Sequence, residues 1–412
     1  MKNDVIIIGG GAAGLCAAVA VKKENPALTV RLLEALPRVG KKLAATGNGR
    51  CNITNKNISK ERYHGRNTDF AAYALARFSG EETEKFFHEI GVDFIFEGDK
   101  GYPASLQAAS VVDCLRFAAK EAGVILCTET KVTNIQLSGG LFKVIAGNMS
   151  FLSKNVIIAA GLLSGGERLG SDGQMLALLK KAGFKTVKTY PAIVQLKTEP
   201  EIVRQLKGIK VNSDVSLKSG GRLLRQEYGE VLFCDYGLSG PPILQVSGAA
   251  AAAQNPVISL DLMPCKGLQA LKNELCERID MLGGRSTDEF FTGIMNKRLG
   301  QVIIKSAGYR LNMPVSSLDK NAPQKLAALI KDFSFAVTGN TGFINSQATS
   351  GGLDTEQFDP KTMMSREYKG LYAIGEILDI DGDCGGFNLQ WAWSSALCAA
   401  EAIAGKGNKR NG

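Results

Sequence analysis

The apolar pattern at the start of the chain changes period twice within 34 residues. Val5-Ile6-Ile7-Ile8 is a β-branched run that stops at Gly9-Gly10-Gly11, and Ala12 to Val21 is continuous in helix formers. After Pro26 a second short run, Val30-Arg31-Leu32-Leu33, ends at Glu34. Strand, tight turn, helix and strand within about 30 residues predict a βαβ unit.

From Asp69 to Gly123 apolar residues recur at helical spacing, as in Phe70, Tyr73, Ala74 and Phe78, then Val112, Leu115, Phe117 and Ala118, which predicts surface helices. Val124 to Cys127, Val132 to Leu137 and Leu141 to Ile145 read as strands, with Ser138-Gly139-Gly140 as a hairpin turn, and Val156-Ile157-Ile158 as a buried strand. Beyond Pro191 the texture turns to strand-like segments broken by glycines (Val194 to Thr198, Val211 to Leu217, Val231 to Phe233). Helical spacing follows in Leu268 to Leu282, Phe290 to Ala307 and Lys325 to Asp332. From Gly370 the first texture returns, with Leu371-Tyr372-Ala373-Ile374 as a strand ending at Gly375 and Asn388 to Ala404 as an apolar helix. The expected architecture is α/β: a discontinuous Rossmann-type domain over residues 1–190 and 346–412, with an inserted domain over 191–345, β-rich over 191–265 and helical over 266–345. There is no internal repeat, and Ala249 to Ala253 is the one low-complexity stretch.

Composition narrows this picture. A chain of 412 residues has room for two or three domains, and 45% hydrophobic with 22% charged residues is ordinary for a globular protein. The net charge of +9 admits nucleic acid, a membrane surface or an anionic substrate. The basic residues are scattered, however, and the one compact run, Lys406, Lys409 and Arg410, lies in a Gly/Asn-rich tail expected to fray. Nine cysteines, an odd number without any CxxC, point to reduced thiols in the cytoplasm and away from zinc-ribbon or thioredoxin-type patterns. With His64 and His88 as the only histidines, no metal site is expected. Val5 to Val21 is uncharged, but Asp4 stands where a signal peptide wants positive charge and four glycines interrupt the run, so neither a leader nor a membrane span is expected.

Gly9-Gly10-Gly11-Ala12-Ala13-Gly14 fits GxGxxG between strand and helix: Gly9 turns the chain, Gly11 admits a pyrophosphate, and Gly14 lets helix and strand approach. The N–H groups of the helix start then face the phosphates. Glu34 ends the second strand 20 residues beyond Gly14, where a carboxylate accepts from adenosine ribose hydroxyls and disfavours a 2′-phosphate. A dinucleotide site follows from the two together. The segment Gly40 to Asn55 is polar, glycine-punctuated and unlike a helix or strand, and reads as a cofactor-wrapping loop. Within it Lys42 and Arg50 can neutralise phosphate charge, Thr46, Asn48 and Asn52 can supply neutral hydrogen bonds, and Gly47 and Cys51 stand between them as further cofactor-binding positions.

The Gly49-Arg50-Cys51-Asn52-Ile53-Thr54-Asn55 motif resembles the mark of the BaiN-like flavoproteins, also known as the aminoacetone-oxidase family. The likeness continues in Gly237-Leu238-Ser239-Gly240-Pro241-Pro242, Thr349-Ser350-Gly351-Gly352-Leu353, Gly375-Glu376-Ile377-Leu378-Asp379 and Gly385 to Trp393, so it spans the chain. It implies non-covalent FAD on the two-part domain and an inserted β-barrel-plus-helical domain. It also implies cofactor contacts at Val132, Ala160, Gly161, Gly375, Glu376, Asp379, Gly386, Asn388 and Leu389, with the last helix stabilising negative charge at the flavin N1/O2 edge. One departure stands out: Ala160 replaces the usual threonine of an Ala-Thr-Gly-Gly turn and the Tyr-Pro pair after it is absent, which leaves the neighbouring pocket wall open.

The resemblance implies an FAD-dependent oxidoreductase working in a cleft between the two domains. Its preferred form is NAD(P)H-driven reduction of a C=C bond conjugated to a carbonyl in a steroid or bile-acid-like substrate. The small residues Gly237, Ser239 and Gly240 and the lack of clustered charges in the inserted domain favour a mostly apolar molecule with one carbonyl. No second GxGxxG exists, so a nicotinamide would dock transiently. The alternatives are oxygen-dependent oxidation of an aminoketone, an RNA-acting flavoprotein, which the scattered charge disfavours, and a non-catalytic flavin-binding protein. No catalytic residue is assigned: Tyr102, Tyr190 and Tyr236 are equivalent as proton donors, and Cys51 reads better as a small buried residue than as a redox thiol, for want of a resolving partner.

Overall fold

The computed structural model describes residues 2–138 and 140–405; the turn at Gly139 and the basic tail with Lys406, Lys409 and Arg410 lie outside the described residues. The chain divides into two compact units, one made of its two ends (up to Pro191 and from Phe343) and one of Ala192–Gly342.

The first unit is organised by a seven-stranded sheet. Its parallel part runs in the order Ile125–Cys127, Val30–Leu33, Lys2–Ile8, Met149–Ile158, Leu371–Ala373. The ten-residue strand Met149–Ile158 forks: its first half pairs antiparallel with Leu141–Ala146, which continues to Asn134–Ser138, while its last three residues pair with Leu371–Ala373. Strand order reverses beside Lys2–Ile8, so the Gly9 loop sits at a topological switch point, where open α/β sheets bind ligands. Val5, Ile6 and Ile7 are fully buried, as are Leu32, Val156 and Ile157, which accounts for runs without alternation. The helices Ala12–Glu24 and Phe387–Ile403, both nearly featureless in polarity, pack against each other within this core.

The second unit is a closed six-stranded antiparallel barrel in the order Leu196–Thr198, Gly237–Ser239, Arg222–Cys234, Lys210–Ser219, Val257–Asp261, Phe333–Asn340. Val215 and Leu217, Val231 and Phe233, Ile258 and Leu260, and Phe333 and Phe335 fill it at period two. Helices Pro200–Gln205, Pro241–Ala252, Leu268–Leu282, Lys297–Ser306 and Ala322–Lys331 complete the unit.

Several sequence expectations are corrected. Between the helices Asp69–Arg77, Gly80–Glu89 and Ala108–Glu121 lie two paired strands, Phe94–Glu97 and Lys100–Pro103, where aromatic residues favour the sheet over a further helix. The strand expected from Val132 begins at Asn134. The helix expected from Phe290 begins only at Lys297: Gly293 has φ +91°, and Asn296 caps the helix by accepting from the Arg298 and Leu299 N–H groups. The Gly40 to Asn55 segment holds a short helix, Lys41–Ala44, and a short strand, Thr54–Asn55. Finally, the small residues of the Gly237 to Gly240 stretch make the barrel rather than a pocket. A Cβ on Gly237 would lie 2.1 Å from the Leu196 carbonyl oxygen and one on Gly240 2.1 Å from that of Glu230.

Candidate cofactor and active site

The glycines after the first strand fall into two kinds. A Cβ on Gly9 would stand 2.5 Å from the Ala159 carbonyl oxygen and one on Gly14 1.9 Å from that of Gly9, so both are required by backbone approach. A Cβ on Gly11 meets nothing within 4 Å. Gly11 therefore borders open space, directly at the start of the helix Ala12–Glu24, which has no side-chain cap and no acidic residue in its first turn. Ala12 and Ala13 bring the unpaired N–H groups of that turn to the same place. Glu34, 9% exposed, accepts from the Gly10 N–H at 2.7 Å and the Leu36 N–H at 2.8 Å. Its carboxylate is thus held rigidly at the rim of the loop.

The last helix closes on this loop from the other end of the sequence. The Gly375 N–H donates to Ser395 Oγ at 3.0 Å and its carbonyl accepts from Trp391 Nε1 at 3.1 Å. A Cβ on Gly375 would stand 3.0 Å from that of Ala13. Trp393 Nε1 donates to the Ile53 carbonyl at 3.0 Å, and Gln390 accepts from Thr54 Oγ1 at 2.6 Å while its amide donates to the Phe78 carbonyl and to Thr83. The Arg-Cys-Asn-Ile-Thr-Asn segment is therefore bolted to the helix. Gly386 (φ +98°) starts that helix without a side-chain cap or an acidic first turn; a Cβ there would lie 2.6 Å from the Thr54 carbonyl oxygen and 2.9 Å from Asn52 Oδ1. Asn52 Oδ1 is buried and has no hydrogen-bond partner.

With this frame in place, comparison with known proteins is decisive. The model of the HI0933-like protein Rossmann domain matches residues 3–402. The chain belongs to the HI0933-like Rossmann family. It is 34% identical over 406 residues to the 3-dehydro-bile acid delta(4,6)-reductase of Clostridium scindens, covering 98% of this chain and 99% of that protein. It is 28% identical over 410 residues to the ribosomal RNA dihydrouridine synthase of Escherichia coli, covering 98% and 99% respectively. Among solved structures, a quinol-fumarate reductase with menaquinol molecules superimposes with a TM-score of 0.51 at 16% identity, over 100% of this chain and 72% of that one. This HI0933-like chain is an FAD-dependent oxidoreductase, and its own features fit the cofactor: open space at Gly11, two helix starts free of acidic residues, and an unpartnered Asn52 oxygen beside the second of them.

Two groupings in the family member were not visible in its sequence. The first joins Lys42, Ser164, Thr349 and Glu376. Glu376 accepts from Lys42 Nζ at 2.6 Å, from Ser164 Oγ at 2.7 Å and from the Thr349 N–H at 2.9 Å, and Ser164 Oγ lies 2.7 Å from Thr349 Oγ1. A Cβ on Gly161 would stand 3.5 Å from Glu376, so Gly161 and half-buried Ala160 border this cluster. The second is acidic. Asp379, Asp381 and Asp383 are 1–3% exposed. Asp379 accepts from the Arg66 N–H at 2.9 Å, and burial pushes its carboxyl up. Asp383 lies 2.7 Å from His64 Nε2 and 3.3 Å from Arg62.

Other expected site residues have partners of their own. Arg50 pairs with Glu97, and its guanidinium lies 4.4 Å from the centre of the Tyr102 ring, away from the role of a free phosphate ligand. Asn388 accepts from the Gly382 N–H at 2.9 Å and donates to the Gly382 carbonyl at 2.7 Å, so it shapes the Asp381 to Gly385 turn. Thr46 Oγ1 donates to the Leu43 carbonyl at 2.7 Å, and Gly47 (φ +57°) turns the chain beside it. Cys51 is fully buried, and burial pushes its thiol up to about 12. Leu389 packs on the core, and Val132 is half-buried just before the Asn134 strand. Of the three tyrosines, Tyr102 and Tyr236 have phenols raised by burial, Tyr236 to about 12. Among the described residues no helix is long and apolar enough to cross a membrane.

Proposed function

We propose that this oxidoreductase reduces a C=C bond conjugated to a carbonyl, with electrons from NAD(P)H reaching the substrate through bound FAD. Supporting this most strongly is what two activities among its full-length relatives have in common. A 3-dehydro bile acid with Δ4,6 unsaturation carries its double bonds in conjugation with the 3-oxo group, and a uridine becomes dihydrouridine when the C5=C6 bond conjugated to the C4 carbonyl is saturated. The two rings differ and the bond chemistry is shared. The higher identity favours a steroid-like, mostly apolar ring with one carbonyl as substrate. None of the nine cysteines is in a disulfide, which supports a reducing cytoplasm.

In this reading Gly9 to Gly14 and the first helix hold the pyrophosphate, Glu34 takes the ribose, and Val132 lies on the adenosine side. Lys42, Thr46, Gly47, Arg50, Cys51 and Asn52 form the wrapping segment, Lys42 as the partner of Glu376 and Arg50 through its pairing with Glu97. Ala160, Gly161, Gly375, Glu376 and Asp379 border the ribityl chain, and Gly386, Asn388 and Leu389 the ring. Bound FAD supplies a two-electron hydride carrier. The protein contributes two positive helix ends, one at the phosphates and one where negative charge gathers on reduction. An apolar substrate suits such a site because a carbonyl needs only one or two donors, whereas a buried ionic substrate needs counter-charges.

The test is anaerobic stopped flow, mixing enzyme prereduced by NADH or NADPH with a 3-oxo-Δ4 steroid. Flavin reoxidation well above the buffer control is expected. Reoxidation at the control rate, with rapid flavin reduction by aminoacetone, overturns the reading in favour of the aminoketone oxidase. A second reading, reduction of a uracil ring in RNA, is favoured by the two ribosomal RNA dihydrouridine synthases that match at 28% and 26% identity. It predicts dihydrouridine in ribosomal RNA incubated with the reduced enzyme and no response to the steroid.

A further inference from the structure

Asp381 is the most isolated carboxylate of the acidic turn. It is 3% exposed, and its Oδ1 is buried without a hydrogen-bond partner. Burial pushes its carboxyl up to about 6, and the neighbouring Asp379 and Glu376 carboxylates push the same way, while His64 and a hydrogen bond from the Ser350 hydroxyl pull it down. Its backbone pairs with His64 in a two-residue ladder, and His64, 40% exposed at its side chain, is held by Asp383. The next residue, Gly382, is pressed against the start of the last helix. A Cβ there would lie 2.7 Å from that of Phe387, and its N–H is taken by Asn388. Asp381 thus sits next to the helix end assigned to the flavin ring, paired through its backbone with the half-exposed His64.

We propose that Asp381 is the protonation site coupled to the flavin, taking up a proton from solvent by way of His64 as the flavin is reduced. The inference rests on the FAD assignment and not on the substrate. A hydride donor of the nicotinamide class gives two electrons and one proton to the flavin ring, leaving one negative charge there. A second proton, drawn from water, forms an O–H bond on the Asp381 carboxylate. A buried carboxylate next to new negative charge gains proton affinity, because like charges in a low-dielectric site repel. Its pKa is therefore higher with reduced than with oxidised flavin. Below the lower value the group is already neutral, above the upper value it stays ionised, and between them each reduction binds an extra proton.

The experiment is a spectroelectrochemical titration of the FAD-loaded wild type, Asp381→Asn and Ser350→Ala across roughly pH 5 to 9. In the wild type the potential falls more steeply with pH inside the window than above it. Asp381→Asn coincides with the wild type at the acid end and is more positive at the alkaline end, where the wild type carries the repelling charge. A structural perturbation would instead displace the curve by a constant amount, and a curve parallel to the wild type throughout overturns the proposal. Ser350→Ala decides the matter if Asp381→Asn fails to hold FAD. Loss of the hydroxyl that stabilises the ionised form moves the window to higher pH, and an unmoved window overturns the proposal, since protonation would then belong to the flavin itself.

Discussion

Lys42 Nζ stands 2.6 Å from Glu376 Oε2, joining two positions 334 residues apart. Each reads separately as a cofactor contact in the sequence, and in the fold each is the other's partner. Their side chains are 27% and 19% exposed, so the pair is screened and contributes less than a buried one. Removing one member leaves the other half-buried without its counter-charge, held only by Ser164 and, for Glu376, the Thr349 N–H. Lys42→Met and Glu376→Gln should each weaken FAD binding about tenfold, equivalent to about 1.4 kcal/mol. The double variant should lose much less than the product of the two, because the pair acts as a unit. Fluorescence titration of apoprotein with FAD measures all three; multiplicative losses would show that the two side chains act independently.

The Gly9 to Gly14 loop allows cofactor loss and fold loss to be separated. Gly11 has φ −79° and open space beyond its hydrogen, so Gly11→Val leaves the apoprotein folded and fills the volume assigned to the pyrophosphate. Gly14→Ala places a methyl group 1.9 Å from the Gly9 carbonyl oxygen, which only a backbone shift can relieve. The first variant should purify colourless with a nearly unchanged apoprotein Tm. The second should lower that Tm by several degrees, as a cost of about 1–3 kcal/mol implies. A yellow Gly11→Val protein would remove Gly11 from the site.

Much of the frame was legible because it rests on local signals. Val5 to Ile8 lacks alternation since both sheet faces are covered, and Glu34 is placed by the length of one βαβ unit. The polar clusters were not legible for the opposite reason. Ser164 and Thr349 are common residue types whose meaning comes from each other and from Glu376, across separations of up to 212 residues. The glycines at 237 and 240 misled in another way: a small residue in a strand reads equally as pocket wall or as close backbone approach, and the neighbouring carbonyl oxygens decide for the latter. In the 290–296 stretch, Phe290, Phe291 and Ile294 pack as a turn because Gly293 breaks the run and Asn296 supplies the cap.

Cys51 should be chemically silent. Its thiol is fully buried and pushed up to about 12, so between pH 6 and 9 it stays protonated and the nucleophilic thiolate is scarce. Exposed Cys265 and Cys276 should alkylate first with iodoacetamide, leaving Cys51 unmodified in the native protein. Cys51→Ser should keep turnover within about threefold, its loss confined to stability, because Cys51 also holds a left-handed φ of +58° that strains either side chain equally. Loss of turnover with full FAD occupancy would restore a redox role.

Asn388 separates a direct flavin contact from a supporting one. Its side chain accepts from the Gly382 N–H, donates to the Gly382 carbonyl at 2.7 Å and reaches the Asp383 carbonyl at 3.4 Å, so it closes the turn that carries Asp381. Asn388→Leu removes these bonds and leaves the Gly382 N–H and carbonyl without their partner. At about 1–2 kcal/mol for each of the two strong bonds lost from a half-buried site, the apoprotein itself should be destabilised by roughly 2–4 kcal/mol. Asn388→Asp keeps the acceptor for the Gly382 N–H but meets the Gly382 carbonyl with a second oxygen, so it should recover only part of the loss. Urea denaturation of FAD-free protein measures both variants. An apoprotein as stable as the wild type, combined with weakened FAD binding, would show that the Asn388 amide contacts the flavin directly and that the turn holds without it.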